Sequence, residues 1–84
     1  METKDIYGKL LALLTAIAPD VEPGSVDADR DMRDQFDFDS MDALHFATAI
    51  SAEFKIDIAQ SDSHRLANLR GAAEFVQSKL QQGR

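Results

Sequence analysis

The sequence predicts an all-α fold, a small bundle of three main helices plus one short helix, with a long acidic loop between helices one and two. Three observations carry this prediction. Apolar residues recur at intervals of three and four in three separate segments, the period of helices that bury one face. The single alternating stretch, Lys55-Ile56-Asp57-Ile58, is too brief for a sheet and has no second strand to pair with. No repeat, low-complexity tract or linker interrupts the 84 residues, so residues 1–84 read as one domain with a modest core.

The first helix is expected from about Lys4 to Ala18. Ile6, Leu10, Leu13 and Ile17 make its buried face, and Tyr7 and Leu14 widen it. Thr3 is the expected N-cap, since a hydroxyl there can accept an amide hydrogen unpaired in the first turn. Pro19 lacks a donor and stops the helix. Residues 19–38 then form a long connection with Pro23-Gly24 as a turn signal. A structureless segment of that length is unusual in a compact domain, so Val21, Val26, Met32, Phe36 and Phe38 are expected to pin it.

The second helix is expected to run to Phe54. At about 100° per residue from Met41, Ala43, Phe46, Ala47, Ile50 and Phe54 fall between roughly 140° and 240°, with Leu44 on the flank near 300°. Met41, His45, Thr48 and Ala52 lie opposite that stripe, on a face poor in charge. After it, Ile56 and Ile58 are expected to plug the core from an extended connection. Ser61 to Leu66 suits a short helical turn capped by Ser61 or Asp62. Asn68 caps a last helix with Leu69, Ala72, Val76 and Leu80 on one face, helped by Ala73 and Phe75, and fraying over residues 81–84.

Charge and composition exclude several roles. A net charge of −6 disfavours nucleic acid, whose phosphates attract basic surfaces, and points to basic protein partners. The acidity is concentrated: seven aspartates lie between Asp27 and Asp42 against Arg30 and Arg33. The longest apolar run, Leu10 to Leu14, is far below the roughly 20 residues of a membrane span. With no secretory or transit pattern at the start and no cysteine, a cytoplasmic monomer is expected, and any thiol chemistry must be imported.

Ser40 lies where the aspartate-rich loop meets the second helix. Its hydroxyl needs a base to act as a nucleophile, and no histidine lies near enough in sequence to suggest a built-in one, so modification by another enzyme is expected rather than catalysis by this chain. A phosphodiester at a helix N-terminus is favoured by the exposed amides and the helix dipole, while Asp39 and Asp42 repel it. The plain alternative, which the local sequence favours, is that Asp39 or Ser40 caps the helix, worth about 1 kcal/mol.

Phe36-Asp37-Phe38-Asp39-Ser40-Met41-Asp42 resembles the Leu-Gly-x-Asp-Ser-Leu-Asp motif of the acyl carrier protein family, and the order of helices and loop is similar over nearly the whole chain. The resemblance implies that Ser40 receives 4′-phosphopantetheine from coenzyme A through a phosphopantetheinyl transferase, and that Asp39 and Asp42 help that enzyme recognise the site. It also implies docking of acyl-loading and acyl-processing enzymes at Met41, with His45, Thr48 and Asp37 beside it. Phe46, Ala47, Ile50, Phe54 and Ile58 would line an interior for part of an acyl chain. Asp37-Phe38 replaces the family's glycine position, and His45, Ser51 and Ala52 stand where primary fatty-acid carriers have glutamates. Those departures point to a dedicated carrier in a specialised fatty-acid, polyketide or aminoacyl pathway, with peptidyl carriers ranked lower.

Two rival readings come from other classes. Asp27, Asp29 and Asp31 occupy positions 1, 3 and 5 of a calcium-loop pattern, but Met32 replaces the required glycine and Phe38 the bidentate glutamate, so no metal site is expected. His45 and His64 stand alone without ligand spacing. The second rival is an unmodified acidic helical module that binds a protein through the charge-poor face; it has no use for the Ser40 hydroxyl.

Overall fold

Thr3–Ile17 (α1) packs against both Ser40–Phe54 (α3) and Leu69–Gln82 (α4), and the 3₁₀ segment Gln60–Leu66 closes over α4. The one-turn helix Met32–Gln35 (α2) and a 3₁₀ turn at Pro23–Ser25 lie in the connection between α1 and α3. The structure, a computed structural model, describes residues 2–82, and among these there is no strand. The core is continuous: Ile6, Leu10 and Leu14 of α1 meet Phe46 and Ile50 of α3 and Leu69, Ala72, Phe75 and Val76 of α4, all 2% exposed or less. Within the described residues no helix is long and apolar enough to cross a membrane.

The apolar stripe of α1 is centred one position away from the expected one. Leu14 is fully buried, while Leu13 and Ile17 are half-buried. The row Ile6–Leu10–Leu14 is the i, i+4, i+8 ridge, which faces the neighbouring helices squarely and leaves the i+7 and i+11 positions at the edge. Thr3 is not the cap. Glu2 occupies that position in extended conformation, its carbonyl accepting the amides of Asp5 and Ile6 at 3.0 and 3.1 Å. The Thr3 hydroxyl instead donates to Gln77 Oε1 at 2.7 Å, tying the start of α1 to α4. The helix ends at Ile17, before Pro19, and the Ala18 amide closes the last turn on Leu14 at 2.8 Å.

The connection from Pro19 to Phe38 is pinned as the sequence suggests, by buried Met32 and Phe38 and half-buried Val21, Val26 and Phe36. The Phe36, Phe38 and Phe46 rings stack edge to face in a chain, with both centroid spacings 6.2 Å. Polar groups that hydrophobic periodicity cannot reveal complete the job. The Gln35 side chain donates to the carbonyls of Asp27 and Arg30 at 2.7 and 2.9 Å and accepts the Asp27 amide at 2.7 Å. Asp31 caps α2, accepting the Arg33 amide at 2.9 Å, and the Met32 amide reaches the Ala67 carbonyl at 2.9 Å. Arg70 then fastens the loop to α4, through its amide to Ala28 at 3.0 Å and its guanidinium to Asp29.

At its C-terminus α3 turns on Lys55, which adopts the left-handed conformation (φ 55°) with its amide on the Ser51 carbonyl. The Ser51 hydroxyl donates to the Ile56 carbonyl at 2.6 Å, fixing the exit, and Ile56 and Ile58 pack half-buried against the core. The 3₁₀ segment starts at Gln60, with Ala59 rather than Ser61 or Asp62 at the cap and no side-chain cap bond. Leu66 anchors it. Asn68 caps α4 as expected, Oδ1 accepting the Gly71 amide at 2.7 Å. Leu80 is half-buried, the helix persists to Gln82, and the remainder of the expected fraying lies outside the described residues.

Candidate functional site at the start of α3

Asp39 is the N-cap of α3. Its backbone is extended (φ −96°, ψ −175°), and its Oδ1 accepts the Asp42 amide at 2.9 Å. Asp42 answers through Oδ2, which accepts the Asp39 amide at 3.3 Å, so the two carboxylates form a reciprocal capping box. Ser40, the first residue inside the helix, is exposed and makes no side-chain hydrogen bond among the described residues. Of the two residues that could cap α3, Asp39 does so, and the Ser40 hydroxyl is left without a structural task.

Ser40 and Asp42 face different spaces. Ser40 lines a groove of about 630 Å³ between the start of α3, α2 and the 3₁₀ segment, walled by Arg33, Phe38, Phe46, His64 and Leu66. Asp42 lines a second groove of about 580 Å³ beneath the acidic loop, with Asp20, Glu22, Asp27, Asp34 and Asp37 and the single cation Arg30. Of the two like charges that flank Ser40 in sequence, Asp42 thus lines a different groove from the serine.

The resemblance-based assignments land unevenly. Phe46 and Ala47 line the Ser40 groove; Ala47 and Ile58 line a shallower one of about 410 Å³, shared with Leu44, Thr48 and Ser51. Ile50 and Phe54 line neither, because they sit mid-stripe in the packed core, 0% and 6% exposed. Met41, His45, Thr48 and Asp37 are exposed. Leu44 is as exposed as Met41, both at 58%. The expected flank of the buried stripe therefore belongs to the outer face, where Leu44 and Met41 give an apolar pair. Arg33 and His64 enter the Ser40 groove with no warning in the sequence, since only the fold brings α2 and the 3₁₀ segment to the start of α3.

The three aspartates of calcium-loop spacing have other partners. Asp27 accepts the Asp29 amide at 3.0 Å, Asp29 binds Arg70, and Asp31 caps α2. The Arg70 hydrogen bond, followed by its charge, holds the Asp29 carboxyl below the ordinary carboxylate range. Among the described residues no cluster of three His, Asp or Glu side chains is placed to hold a metal ion.

The donor chemistry at Ser40 fits a phosphodiester-linked arm. The hydroxyl is accessible and unengaged, it stands at a helix N-terminus, and the adjoining groove has a polar rim over an apolar floor. Comparison with known proteins agrees. The phosphopantetheine attachment site family matches residues 9–76. Acyl carrier protein 2 of Pseudomonas aeruginosa is 30% identical over 60 residues, which cover 71% of this chain and 76% of that protein. Helix order, the Asp39-Ser40-Met41-Asp42 junction and both comparisons converge: the chain belongs to the acyl carrier protein family and is a phosphopantetheine carrier.

Proposed function

We propose that Ser40 is the attachment point of 4′-phosphopantetheine and that the protein presents acyl intermediates, bound as thioesters to that arm, to a series of partner enzymes. The observation that carries this reading is the division of labour at the start of α3, where Asp39 caps the helix and Ser40 does not. When bound, the group supplies the terminal thiol that a chain without cysteine lacks. The chain's own residues hold and present. Asp39 and Asp42 keep the serine at a fixed first-turn position and offer carboxylates to a basic phosphopantetheinyl transferase. Exposed Met41, Leu44, His45 and Thr48, with Asp37 at the edge, form the docking face for acyl-loading and acyl-processing enzymes. Phe46 and Ala47 provide the apolar floor against which the first part of a cargo lies.

Reactions on the cargo belong to those partners rather than to this chain, which acts as a cytoplasmic carrier. A helix α3 with Asp42 and Glu53 as its only carboxylates favours partners that read an apolar face with an acidic border, hence a dedicated carrier rather than a housekeeping one. Intact-mass measurement before and after incubation with coenzyme A, Mg²⁺ and a phosphopantetheinyl transferase tests the assignment. One added phosphopantetheinyl group is expected on the wild type and none on Ser40→Ala. No gain with transferases of several specificities would leave an unmodified interaction module as the better account.

A further inference from the structure

We propose that Arg33 and His64 form an anion site on the wall of the Ser40 groove, and that this site holds the phosphodiester of an arm on Ser40 so that the base of the arm lies along the groove. The inference rests on Ser40 being the attachment point. Its own support is the placement of cations. Among the described residues Lys9 pairs with Glu53 at 3.2 Å, Arg70 with Asp29, and Arg30 donates to the Asp34 carbonyl at 3.3 Å, while Lys4 and Lys55 line neither the Ser40 groove nor the acidic one. Arg65 and Lys79 stand over the Phe75 ring, 4.9 and 5.7 Å from its centroid. The Arg33 guanidinium has no ion pair, hydrogen bond or aromatic partner among the described residues, yet it lines the same groove as Ser40.

His64 enters that groove from the 3₁₀ segment. Its Nδ1 lies 2.9 Å from the Ser61 carbonyl, an acceptor, so Nδ1 is assigned as the donor, which fixes the ring and leaves Nε2 for the groove, where it donates to an anion when the ring takes up a second proton. Among the described residues Arg33 and His64 are the only basic side chains that line this groove; the carboxylate on the same wall, Asp31, is engaged with the Arg33 amide. The opposite side of α3's first turn carries the reverse sign, six carboxylates around the second groove against Arg30. A phosphodiester on Ser40 therefore meets the Arg33 guanidinium and the His64 ring on one side and a dense negative field on the other. Charge-assisted hydrogen bonds from a guanidinium are the strong kind for a phosphate oxygen, an imidazole adds a second donor when protonated, and the combined field sets the direction in which the arm leaves the helix.

The test is NMR of the loaded protein, after intact mass has shown whether loading occurred. The ³¹P resonance is recorded for wild type, Arg33→Gln, His64→Gln and, as a control in the other groove, Arg30→Gln. Arg33 and His64 are both exposed, so the substitutions leave the core untouched. The expected result is a displaced ³¹P resonance in Arg33→Gln and in His64→Gln but not in Arg30→Gln, together with shifts of the Arg33 Nε–H and His64 ring signals between unloaded and loaded wild type. An unmoved ³¹P resonance in both groove variants, with unmoved Arg33 and His64 signals on loading, would overturn the proposal while leaving Ser40 as the attachment site. Failure to load overturns both. If a variant resists the transferase, the wild-type comparison decides alone. A last pair of samples, with the arm carrying a butanoyl or a succinyl group, separates the possible oxyanions: signals that move only with succinyl assign the site to a cargo carboxylate and overturn the phosphodiester assignment.

Discussion

Asp39 and Asp42 exchange backbone amides through their side chains, at 2.9 and 3.3 Å, and so close the first turn of α3 without recruiting the serine between them. An acidic pair thus serves the fold at the position where the charge of a phosphodiester would be least welcome. The unequal lengths of the two bonds make Asp39 the stronger partner.

Loss of the cap should accordingly separate the two roles. Asp39→Ala is expected to cost about 1 kcal/mol of stability, seen as a drop of roughly 4–8 °C in Tm for a domain of this size. Asp42→Asn should cost less. Ser40→Ala should stay within about 0.5 kcal/mol of wild type, as surface substitutions away from special features do. Urea titrations of the three variants decide it, and an Ser40→Ala loss equal to that of Asp39→Ala would show that the hydroxyl caps after all.

Two glycines predict opposite responses. A Cβ at Gly71 would lie 2.6 Å from the Arg65 carbonyl oxygen and 3.0 Å from Asn68 Oδ1, so the 3₁₀ segment approaches α4 through the space a side chain would fill. Gly71→Ala is expected to destabilise by about 1–3 kcal/mol. At Gly8, exposed within α1, nothing lies within 4 Å of the added carbon, and Gly8→Ala should stabilise by about 0.5–1 kcal/mol. Thermal denaturation of both proteins gives the signs directly.

The Asp29–Arg70 pair links the acidic loop to α4 and should leave a signature in the pH dependence. Its hydrogen bond and charge lower the Asp29 pKa from an ordinary 3.8. The folded state therefore favours the ionised carboxylate, so the pair's contribution is present above 3.8 and fades as pH falls through the lower folded value. Arg70→Met should be less stable than wild type at neutral pH, and the gap should narrow below about pH 4. Both side chains are solvent-exposed, so added salt should also narrow it. Denaturation at pH 7 and pH 3, with and without salt, measures the effect; a gap independent of both would assign the loss to packing of the arginine stem.

The exposed apolar pair on α3 should matter for partners and not for folding. Met41→Ala and Leu44→Ala are each expected to change stability by no more than about 0.5 kcal/mol, because both side chains are 58% exposed. Each should lower the transferase's kcat/KM on this protein several-fold. That reaction should also slow as ionic strength rises, since the acidic border steers the encounter. Steady-state kinetics on the purified variants checks both statements, and unchanged kinetics in Leu44→Ala would confine docking to the Met41 side.

The three main helices, the extents of α1, α3 and α4 and most of the core follow from residue order, because a 3.6-residue period, the stop at Pro19 and the cap at Asn68 are local properties of the chain. The motif around Ser40 is equally local, and with it the family. What residue order leaves open is which of two adjacent polar residues caps a helix, whether Leu44 turns inward or outward, and what Thr3, Gln35 and Arg70 bind. Four-residue α2 is too short to show a period at all. Only the tertiary structure brings Arg33 and His64 to one groove with Ser40 and sends Asp42 to another. The reason is physical: burial patterns are written in neighbours along the chain, whereas hydrogen bonds and charge pairs between distant segments exist only once the apolar faces have packed and fixed which polar groups meet.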